Sequence, residues 1–397
     1  MLQDSTVPDV PAYERDPTLT RLETSIVEVG TTGGRPFAVL ADTVLYPEGG
    51  GQPADHGHID DVVVNDVQET GGVIRHILGG PVEIGPVTVR LDWTRRFDHM
   101  QQHSAQHLLT AIAADRFGWQ TTAFHLGQHV SDIELDVPSI GAGLLQAFED
   151  AVAAEVRAAR SIAARRVSRA EYERIEVRSR GLPAGHEGEV RLVEIAGVDL
   201  NTCGGTHCAS TAELEAIKLL GSESLRGGTR VFYVAGGRLR RRLGVEVERT
   251  AELRSVLGAA DDELVTAVEA RIEQLKSGNR ARRRLEEELA SLHVERVLAR
   301  PESVSVAHFE DMDLPFLQRV ARELAERDPG RVILLTAGDG EEGFFLLAAG
   351  VEADADIQSL GPGVATVLSG KGGGKGRLFQ GRASRLSLRD EAANLLR

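Results

Sequence analysis

Two short segments about a hundred residues apart constrain the fold most strongly, because both carry side chains of the kinds that bind metal ions. The first, His103-Ser-Ala-Gln-His107, places two histidines on one face of a helix. The second, Cys203-Gly-Gly-Thr-His207, places a thiol and an imidazole in a loop whose two glycines permit a sharp turn. Thiolate and imidazole are the ligands that zinc prefers. We therefore predict that the chain folds so that these four side chains bind one Zn²⁺ ion.

The length and composition indicate a multidomain protein of the cytoplasm. The chain has 397 residues, and a single core rarely grows beyond about 250–300, so we expect two or three domains. No run of residues approaches the ~18 apolar residues of a membrane span. The polar, acidic N-terminus lacks the order of a signal peptide. We expect a soluble cytoplasmic chain with no membrane partner.

The two cysteines and the net charge exclude two classes of protein. With only Cys203 and Cys208, a disulfide framework is not expected, and the sequence assigns no role to Cys208. The net charge of −15 argues against a protein that coats nucleic acid, because phosphate binding needs a basic surface. RNA binding would therefore require a local basic patch.

The pattern along the chain predicts an α+β protein with four parts. Residues 1–92 contain short apolar runs broken by Gly and Pro, as in small β-barrels. Residues 93–240 combine a long helix ending near Gly118 with strands, and we expect further helices at 144–166 and 168–177. Residues 241–300 read as a charged helical arm, and residues 301–397 alternate strand and helix, as in a small α/β domain.

The helical arm has two interpretations. Apolar residues recur every three or four positions, for example at Leu264, Val268 and Ile272. The pattern is typical of a helical hairpin packed on its own domain, and also of a coiled coil that would make a homodimer through the C-terminal half.

The two metal-type motifs, taken together, resemble the editing domain of alanyl-tRNA synthetase and the free-standing AlaX alanyl-tRNA editing proteins. The flanking segments GEVRLVEIAGVDLNTCGGTH and AIKLLGSESLRGGTRVFYVAGG look like the same family, as does YPEGGGQPADHG at 46–57. SGKGGGKGRLFQG at 369–381 resembles the glycine-rich segment of the synthetase's C-terminal DHHA1 domain. The resemblance covers most of the chain and is closest to the long AlaX form.

The resemblance implies a function. We expect a zinc-dependent hydrolase that cleaves the ester of alanine-specific tRNA mischarged with serine, and in some cases glycine. Because only about 40 residues precede the glycine-rich motif, where a synthetase has its aminoacylation domain, we expect no charging activity. The implied architecture is an N-terminal β-barrel, an α+β zinc editing domain, the helical arm and a C-terminal DHHA1-like domain that binds tRNA.

Substrate and tRNA contacts are predicted from residue type and position. Hydroxyl and amide groups after the long helix would recognise the serine hydroxyl, and backbone N–H groups of the glycine motif would face a phosphate or the CCA end. The predicted substrate-binding residues are Gln120, Thr121, Thr122, Gly49, Gly50, Gly51 and Gln52. Two clusters of cations would contact the tRNA backbone. The predicted tRNA-binding residues are Lys371, Lys375, Arg377, Arg238, Arg240, Arg241 and Arg242.

The chemistry leaves some alternatives open. Four protein ligands describe a closed structural zinc site, whereas hydrolytic zinc usually keeps a position open. Five-coordination, displacement of one ligand, or a metal that only orients the substrate would each reconcile the two. The alternative function is an RNA-binding module with a structural zinc, and no general base can be assigned.

Overall fold

The computed structural model describes residues 9–178, 181–182 and 188–397. The chain forms two compact units, Met1–Ala251 and Glu252–Arg397. The finer division into four domains stays a prediction. Across the described residues, no helix combines the length and apolar character needed to cross a lipid bilayer.

The first unit begins with a closed barrel, as the sequence predicts. Its strands pair in the order β1-β2-β5-β4-β3-β6, every pair is antiparallel, and β6 closes the barrel by pairing with both β1 and β3. Gly33 and Gly34, both at positive φ, make the two-residue turn between the first two strands. The elements are α1 (Ala12–Arg15), β1 (Arg21–Thr32), β2 (Arg35–Leu40), β3 (Gly57–Ile59), β4 (Val62–Thr70), β5 (Val73–Leu78) and β6 (Gly85–Leu91).

A long buried helix organises the rest of this unit. Helix α2 starts at the cap Asp92, whose side chain accepts from the backbone N–H of Arg95, and ends at Gly118 with φ 72°. A four-stranded sheet, in the order β12-β13-β8-β7, and the helix α3 pack against it. The elements are α2 (Trp93–Phe117), β7 (Thr121–His125), β8 (Ser131–Leu135), α3 (Ala142–Arg157), β9 (Ile162–Val167), α4 (Arg169–Tyr172), β10 (Val190–Ile195), β11 (Asp199–Thr202), β12 (Ile217–Leu225) and β13 (Gly228–Ala235).

Two helix predictions in this region are wrong in extent. The helix predicted at 144–166 ends at Arg157, and Ile162–Val167 is a strand that pairs with Val190–Ile195. Its Ala- and Arg-rich sequence favours a helix, but pairing in a three-stranded sheet prevails over that propensity. The second helix, predicted at 168–177, is a single turn over Arg169–Tyr172.

Two helices follow, in agreement with the predicted helical arm. They are α5 (Gly237–Leu257) and α6 (Leu264–Leu298). Much of their apolar surface is exposed, including Val256 at 83% and Val265 at 72%. The end of α6 joins a hydrophobic core, through Ala290 and Val294.

The second unit is a five-stranded sheet covered by helices on both faces. In β15, Leu334 faces the core that holds α8 and α9, whereas Ile333 and Leu335 face the core that holds α6 and α7. The strand order is β14-β15-β16-β18-β17, with only the first pair parallel. The elements are β14 (Val304–Phe309), α7 (Leu314–Arg327), β15 (Val332–Ala337), β16 (Gly343–Ala349), α8 (Ile357–Val367), β17 (Lys371–Lys375), β18 (Leu378–Ala383) and α9 (Arg389–Asn394).

Candidate metal centre

The two distant motifs meet at the middle of α2. His103 and His107 project from one face of this helix and are buried. Cys203 follows β11 directly, and His207 lies four residues later in the same loop. One ring nitrogen from each histidine and the Cys203 sulfur all lie within 4.8 Å of one another.

The loop is shaped to bring its sulfur and imidazole towards the helix. The Arg191 guanidinium donates to the carbonyl oxygens of Cys203 (2.7 Å) and Gly205 (2.9 Å). Gly205 packs directly on the His103 ring, and a Cβ at this position would lie 2.5 Å from Nδ1. A side chain at Gly205 would therefore separate the two halves of the site, whereas Gly204 faces open space.

The donor set fits a zinc ion. Cys203 Sγ lies 3.4 Å from His103 Nε2 and 3.3 Å from His207 Nε2. A tetrahedral zinc ion with Zn–N and Zn–S distances of about 2.0 and 2.3 Å holds its ligands about 3.5 Å apart. Three nitrogens and one sulfur at this spacing are the ligands zinc prefers.

A second layer of side chains fixes the orientation of all three imidazoles. Gln52 Oε1 contacts His103 Nδ1 at 2.9 Å, and Ser104 Oγ contacts His207 Nδ1 at 3.1 Å. Asp199 Oδ2 contacts the remaining imidazole, at Nδ1 of His107, at 3.2 Å. Each Nδ1 is thus engaged, which leaves each Nε2 for a metal.

The electrostatics of the cluster favour a thiolate. Burial opposes ionisation of Cys203, but its interactions with the imidazoles of His103 and His207 hold the pKa of this thiol well below its usual value. Burial lowers the pKa of His207 to about 3. Burial also lowers the pKa of His107, but its hydrogen bonds to Asp199 and Cys203 outweigh that effect and raise the pKa to about 9. Zinc ligands are a thiolate and neutral imidazoles, so binding of the ion would displace the proton that His107 holds in its absence.

Cys208 has no part in the cluster. Its side chain is 1% exposed and packs in the main core of the first unit. Burial raises the pKa of its thiol, so it stays protonated. Cys208 is a buried apolar side chain.

The glycine-rich motif forms a tight turn that delivers Gln52 to the site. Gly49 and Gln52 exchange backbone hydrogen bonds, and Gly50 and Gly51 between them have φ values of 57° and 82°. Gln52 is fully buried, and its Nε2 donates to Thr206 Oγ1 while Oε1 accepts from Thr206 N. The geometry therefore favours a positioning role for Gln52 over the predicted substrate contact.

A cleft of about 370 Å³ opens beside the cluster. His103, His107 and Cys203 line it, together with Gly50 of the turn and the predicted Gln120 and Thr121. The hydroxyl of Thr122 donates to the Glu134 carbonyl instead, and Thr122 is not among the lining residues. The contacts of Gln120 and Thr121 with a substrate stay predictions.

Sequence reasoning missed two further groups in the cleft. Gln106 Nε2 donates to Thr110 Oγ1 (2.9 Å), and Thr121 Oγ1 donates to the same oxygen (3.1 Å). Gln106 and Thr110 lie three residues after His103 and His107, on the same face of α2. Helical spacing from the two histidines is the signal that could have identified them.

The predicted arginine cluster has mixed roles. Arg238 is 6% exposed, and its guanidinium is bound by Asp98 and by the carbonyl of Gly127. Arg241 also pairs with Asp98, and Arg240 pairs with Glu215. The geometry favours a structural role for Arg238, and tRNA contacts of Arg240, Arg241 and Arg242 stay predictions.

The C-terminal basic segment is an edge strand of the five-stranded sheet. Lys371 and Lys375 are exposed at the two ends of β17. The glycines are needed because a Cβ at Gly372 or Gly374 would overlap the backbone of the neighbouring strand β18. Arg377, in contrast, donates to the carbonyl oxygens of Gly350 and Ala353.

Among the described residues, one other group has metal-type side chains close together: His125, Asp132 and Glu134. The Arg230 guanidinium contacts both carboxylates, at 3.4 and 2.6 Å. A protein cation is thus already paired with both carboxylates of this group.

Comparison with known proteins decides the family. A sequence profile described as "Threonyl and Alanyl tRNA synthetase second additional domain" matches residues 190–233. The mouse protein "Alanyl-tRNA editing protein Aarsd1" is 38% identical over 97% of this chain and 95% of its own length. The chain belongs to the alanyl-tRNA editing protein family.

The profile match includes Cys203 and His207 but not α2. The similarity to the mouse editing protein covers both halves of the metal centre, because it extends over 97% of the chain. "Alanine--tRNA ligase" of Archaeoglobus fulgidus is 31% identical over 97% of this chain but only 43% of the ligase. The crystal structure of the C-Ala domain from Aquifex aeolicus alanyl-tRNA synthetase aligns with 23% of this chain and 86% of that chain, at 25% identity and a TM-score of 0.23.

Proposed function

We propose that this editing protein is a zinc-dependent hydrolase that removes serine, and also glycine, from mischarged alanine-specific tRNA in the cytoplasm. The observation that carries the proposal is the convergence of His103, His107, Cys203 and His207 beside a cleft. The name of the mouse relative, an alanyl-tRNA editing protein, supports the substrate class.

Zinc would be held at one wall of the cleft by the three histidines and the Cys203 thiolate. When bound, zinc supplies a positive charge that can polarise an ester carbonyl or acidify water. His103, His107 and Cys203 face the cleft, whereas His207 is not among its lining residues. The metal would thus lie at the cleft wall, where substrate would reach it by five-coordination or by displacement of one ligand.

The reaction is the hydrolysis of an ester. Water attacks the aminoacyl carbonyl carbon, the bond to the terminal ribose oxygen breaks, and the amino acid and free tRNA leave. The cleft of about 370 Å³ can hold an aminoacyl group, and its walls position the ester relative to the metal-binding side chains. Positioning supplies much of the catalysis because this ester is already activated.

Selection of serine would come from the hydroxyl network of the cleft. Thr110 Oγ1 contacts both Gln106 Nε2 and Thr121 Oγ1. A serine hydroxyl can join this network, whereas the methyl group of alanine gains no hydrogen bond there. The network therefore protects alanyl-tRNA, but it gives no account of glycine.

tRNA binding would extend to the second unit. Lys371 and Lys375 are exposed and add two positive charges to the edge strand β17. In a chain with four lysines and a net charge of −15, this local concentration suits contact with a phosphate backbone.

Dimerisation through the C-terminal half is a further part of the proposal. Val265, Val268, Ile272 and Leu275 of α6 are 41–72% exposed. Their spacing of three, four and three residues is that of a coiled-coil seam. Sedimentation of the full chain and of a variant with Ser at Val268 and Ile272 would test this interface.

The test of the proposed function is deacylation of seryl-, glycyl- and alanyl-tRNA by the full chain, with and without a chelator. We expect loss of serine and of glycine, retention of alanine and inhibition by the chelator. Tight tRNA binding with an intact seryl ester would instead identify an RNA-binding module with a structural zinc.

A further inference from the structure

One of the three histidines of the candidate metal centre, His107, contacts a charged side chain. His107 Nδ1 lies 3.2 Å from Asp199 Oδ2, and the Asp199 side chain has no solvent exposure. The corresponding partners of His103 and His207 are the neutral side chains of Gln52 and Ser104. The three histidines therefore differ, because His107 contacts a buried carboxylate and the other two contact neutral side chains.

The carboxylate is itself held by a chain of charges. Arg178 Nε donates to Asp199 Oδ1 at 2.9 Å, and Arg178 Nη2 donates to both oxygens of Asp115 at 2.9 Å. Asp115 lies on α2, eight residues after His107, so the network begins and ends on the same helix. Arg178 also lines the cleft, which links this network to the wall of the candidate site.

The charges of this network would balance the charge of a bound zinc site. A zinc ion with one thiolate and three neutral imidazoles carries a net charge of +1, which is costly to bury. Asp199 contributes −1 next to that charge, Arg178 contributes +1 and Asp115 contributes −1. The assembly of metal site and network is then neutral, and a carboxylate behind a histidine makes that imidazole a stronger ligand.

We propose that Asp199 is a positioning residue for the metal centre, an inference that rests on the zinc-dependent function proposed above. Asp199 accepts a hydrogen bond from the Nδ1–H group of His107, so that the Nε2 lone pair would be free to bind the cation. Arg178 and Asp115 keep the Asp199 carboxylate in place. None of the three touches the reacting ester in this role.

A purely structural role for Asp199 makes a different prediction. In that case Asp199 would only tie β11 to α2, and its loss would lower the stability of the metal-free chain without a specific effect on metal affinity. Metal affinity, the spectrum of a bound metal and metal-free stability therefore have to be measured on the same variants.

The main test substitutes Asp199→Asn, which keeps the shape and removes the charge. Zinc affinity of the purified full chain is measured by competition with a chromophoric chelator, and Co²⁺ replaces zinc for absorption spectroscopy. We expect zinc to bind 10–100-fold more weakly, the usual effect of losing such an outer partner, with a shifted Co²⁺ spectrum. Unfolding of the metal-free chain is measured on the same variant, and the inference requires zinc binding to weaken in addition to any loss of metal-free stability.

Asp115→Asn provides a second, milder variant. Its carboxylate is 53% exposed, so this substitution threatens folding less than one at Asp199. We expect a smaller loss of zinc affinity in the same direction. If Asp199→Asn is insoluble, the Asp115→Asn variant alone tests the proposal. Unchanged zinc affinity and an unchanged Co²⁺ spectrum in Asp115→Asn would then overturn it.

Asp132→Asn is a matched control. Asp132 also lies between a histidine and an arginine, since His125 Nδ1 is 3.0 Å away and Arg230 Nε is 3.4 Å away. It lies outside the metal cluster, so its substitution should leave zinc affinity and the Co²⁺ spectrum at the wild-type values. Equal losses in the Asp132 and Asp199 variants would contradict a specific role for Asp199.

The metal measurements need no tRNA, which separates this inference from the proposed function. Wild-type zinc affinity with an unchanged Co²⁺ spectrum in Asp199→Asn would overturn the inference even if seryl-tRNA is hydrolysed. Weakened zinc binding in that variant would support it even if the wild-type chain fails to hydrolyse seryl-tRNA, in which case only the proposed function falls.

Discussion

Gly205 lies so close to His103 that a Cβ on Gly205 would overlap the imidazole ring, whereas Gly204 beside it faces open space. Neither glycine has a positive φ, so the difference is one of steric room and not of backbone conformation. The second glycine of the Cys-Gly-Gly-Thr-His motif is thus required by the close approach of loop and helix.

We predict that Gly205→Ala disrupts the metal centre and that Gly204→Ala does not. Overpacking at Gly205 should cost about 1–3 kcal/mol in the free energy of unfolding and weaken zinc binding. Urea unfolding and chelator competition measure the two effects. Similar values for the two variants would show that the packing of Gly205 on His103 does not matter.

Gln52→Ala should remove the hydrogen bonds that join the glycine-rich turn to His103 and to the Cys203–His207 loop. The substitution leaves the buried Thr206 N–H and His103 Nδ1 without their partner, which should cost about 1–3 kcal/mol. Zinc affinity should fall as well, because the His103 ring is no longer held. Gln146→Ala, on the exposed surface of α3, is the control and should alter neither quantity.

His76 should make the first unit sensitive to acid. Burial lowers the pKa of His76 to about 4, and its ring contacts Thr43 Oγ1 and the Ala38 carbonyl. The unfolded chain binds a proton near pH 6.5 and the folded chain only near pH 4, so stability is lost as the pH falls between these values. The His76 contribution should be about 2 kcal/mol by pH 5.

The measurement is urea unfolding of the metal-free chain at pH 7 and pH 5. His76→Gln should lose less stability between these two pH values than the wild-type chain. His58→Gln, at an exposed position on β3, should keep the wild-type difference. An unchanged pH dependence in His76→Gln would remove His76 as the cause.

The four lysines of the chain allow a test of tRNA binding in which the variant and its control lose the same charge. We predict that Lys371→Ala with Lys375→Ala weakens tRNA binding and lowers the salt dependence of the binding constant. The slope of log K against log salt should fall by about 0.7–0.9 per lost phosphate contact. Lys218→Ala with Lys276→Ala removes the same charge elsewhere, and an equal loss of affinity there would indicate only an effect of net charge.

The sequence predicted the metal cluster because its ligands are chemically distinctive and come in two spaced pairs. His103 and His107 follow from helical periodicity, and Cys203 and His207 follow from a glycine turn. Asp199 and Arg178 could not be predicted in this way, because ordinary charged residues carry no spacing signal and meet only through the packing of β11 against α2.

The fold was predictable where local pattern and tertiary pairing agree. The barrel and the long helix α2 show this agreement, with glycines in turns of the barrel and α2 ending at Gly118 as predicted. The strand Ile162–Val167 shows the opposite, since its residues favour a helix and only pairing with β10 makes it a strand. Gln52 is intermediate: its motif was visible, but its burial against His103 was not.

The central claim is that one zinc ion, held in part by the Cys203 thiolate, is required for deacylation. Zinc content and seryl-tRNA hydrolysis measured on the wild type, Cys203→Ala and Cys208→Ala test it directly. We predict one zinc per chain and full activity in the wild type and in Cys208→Ala, with both lost together in Cys203→Ala. A zinc-free Cys203→Ala variant that hydrolyses seryl-tRNA at the wild-type rate would contradict the account.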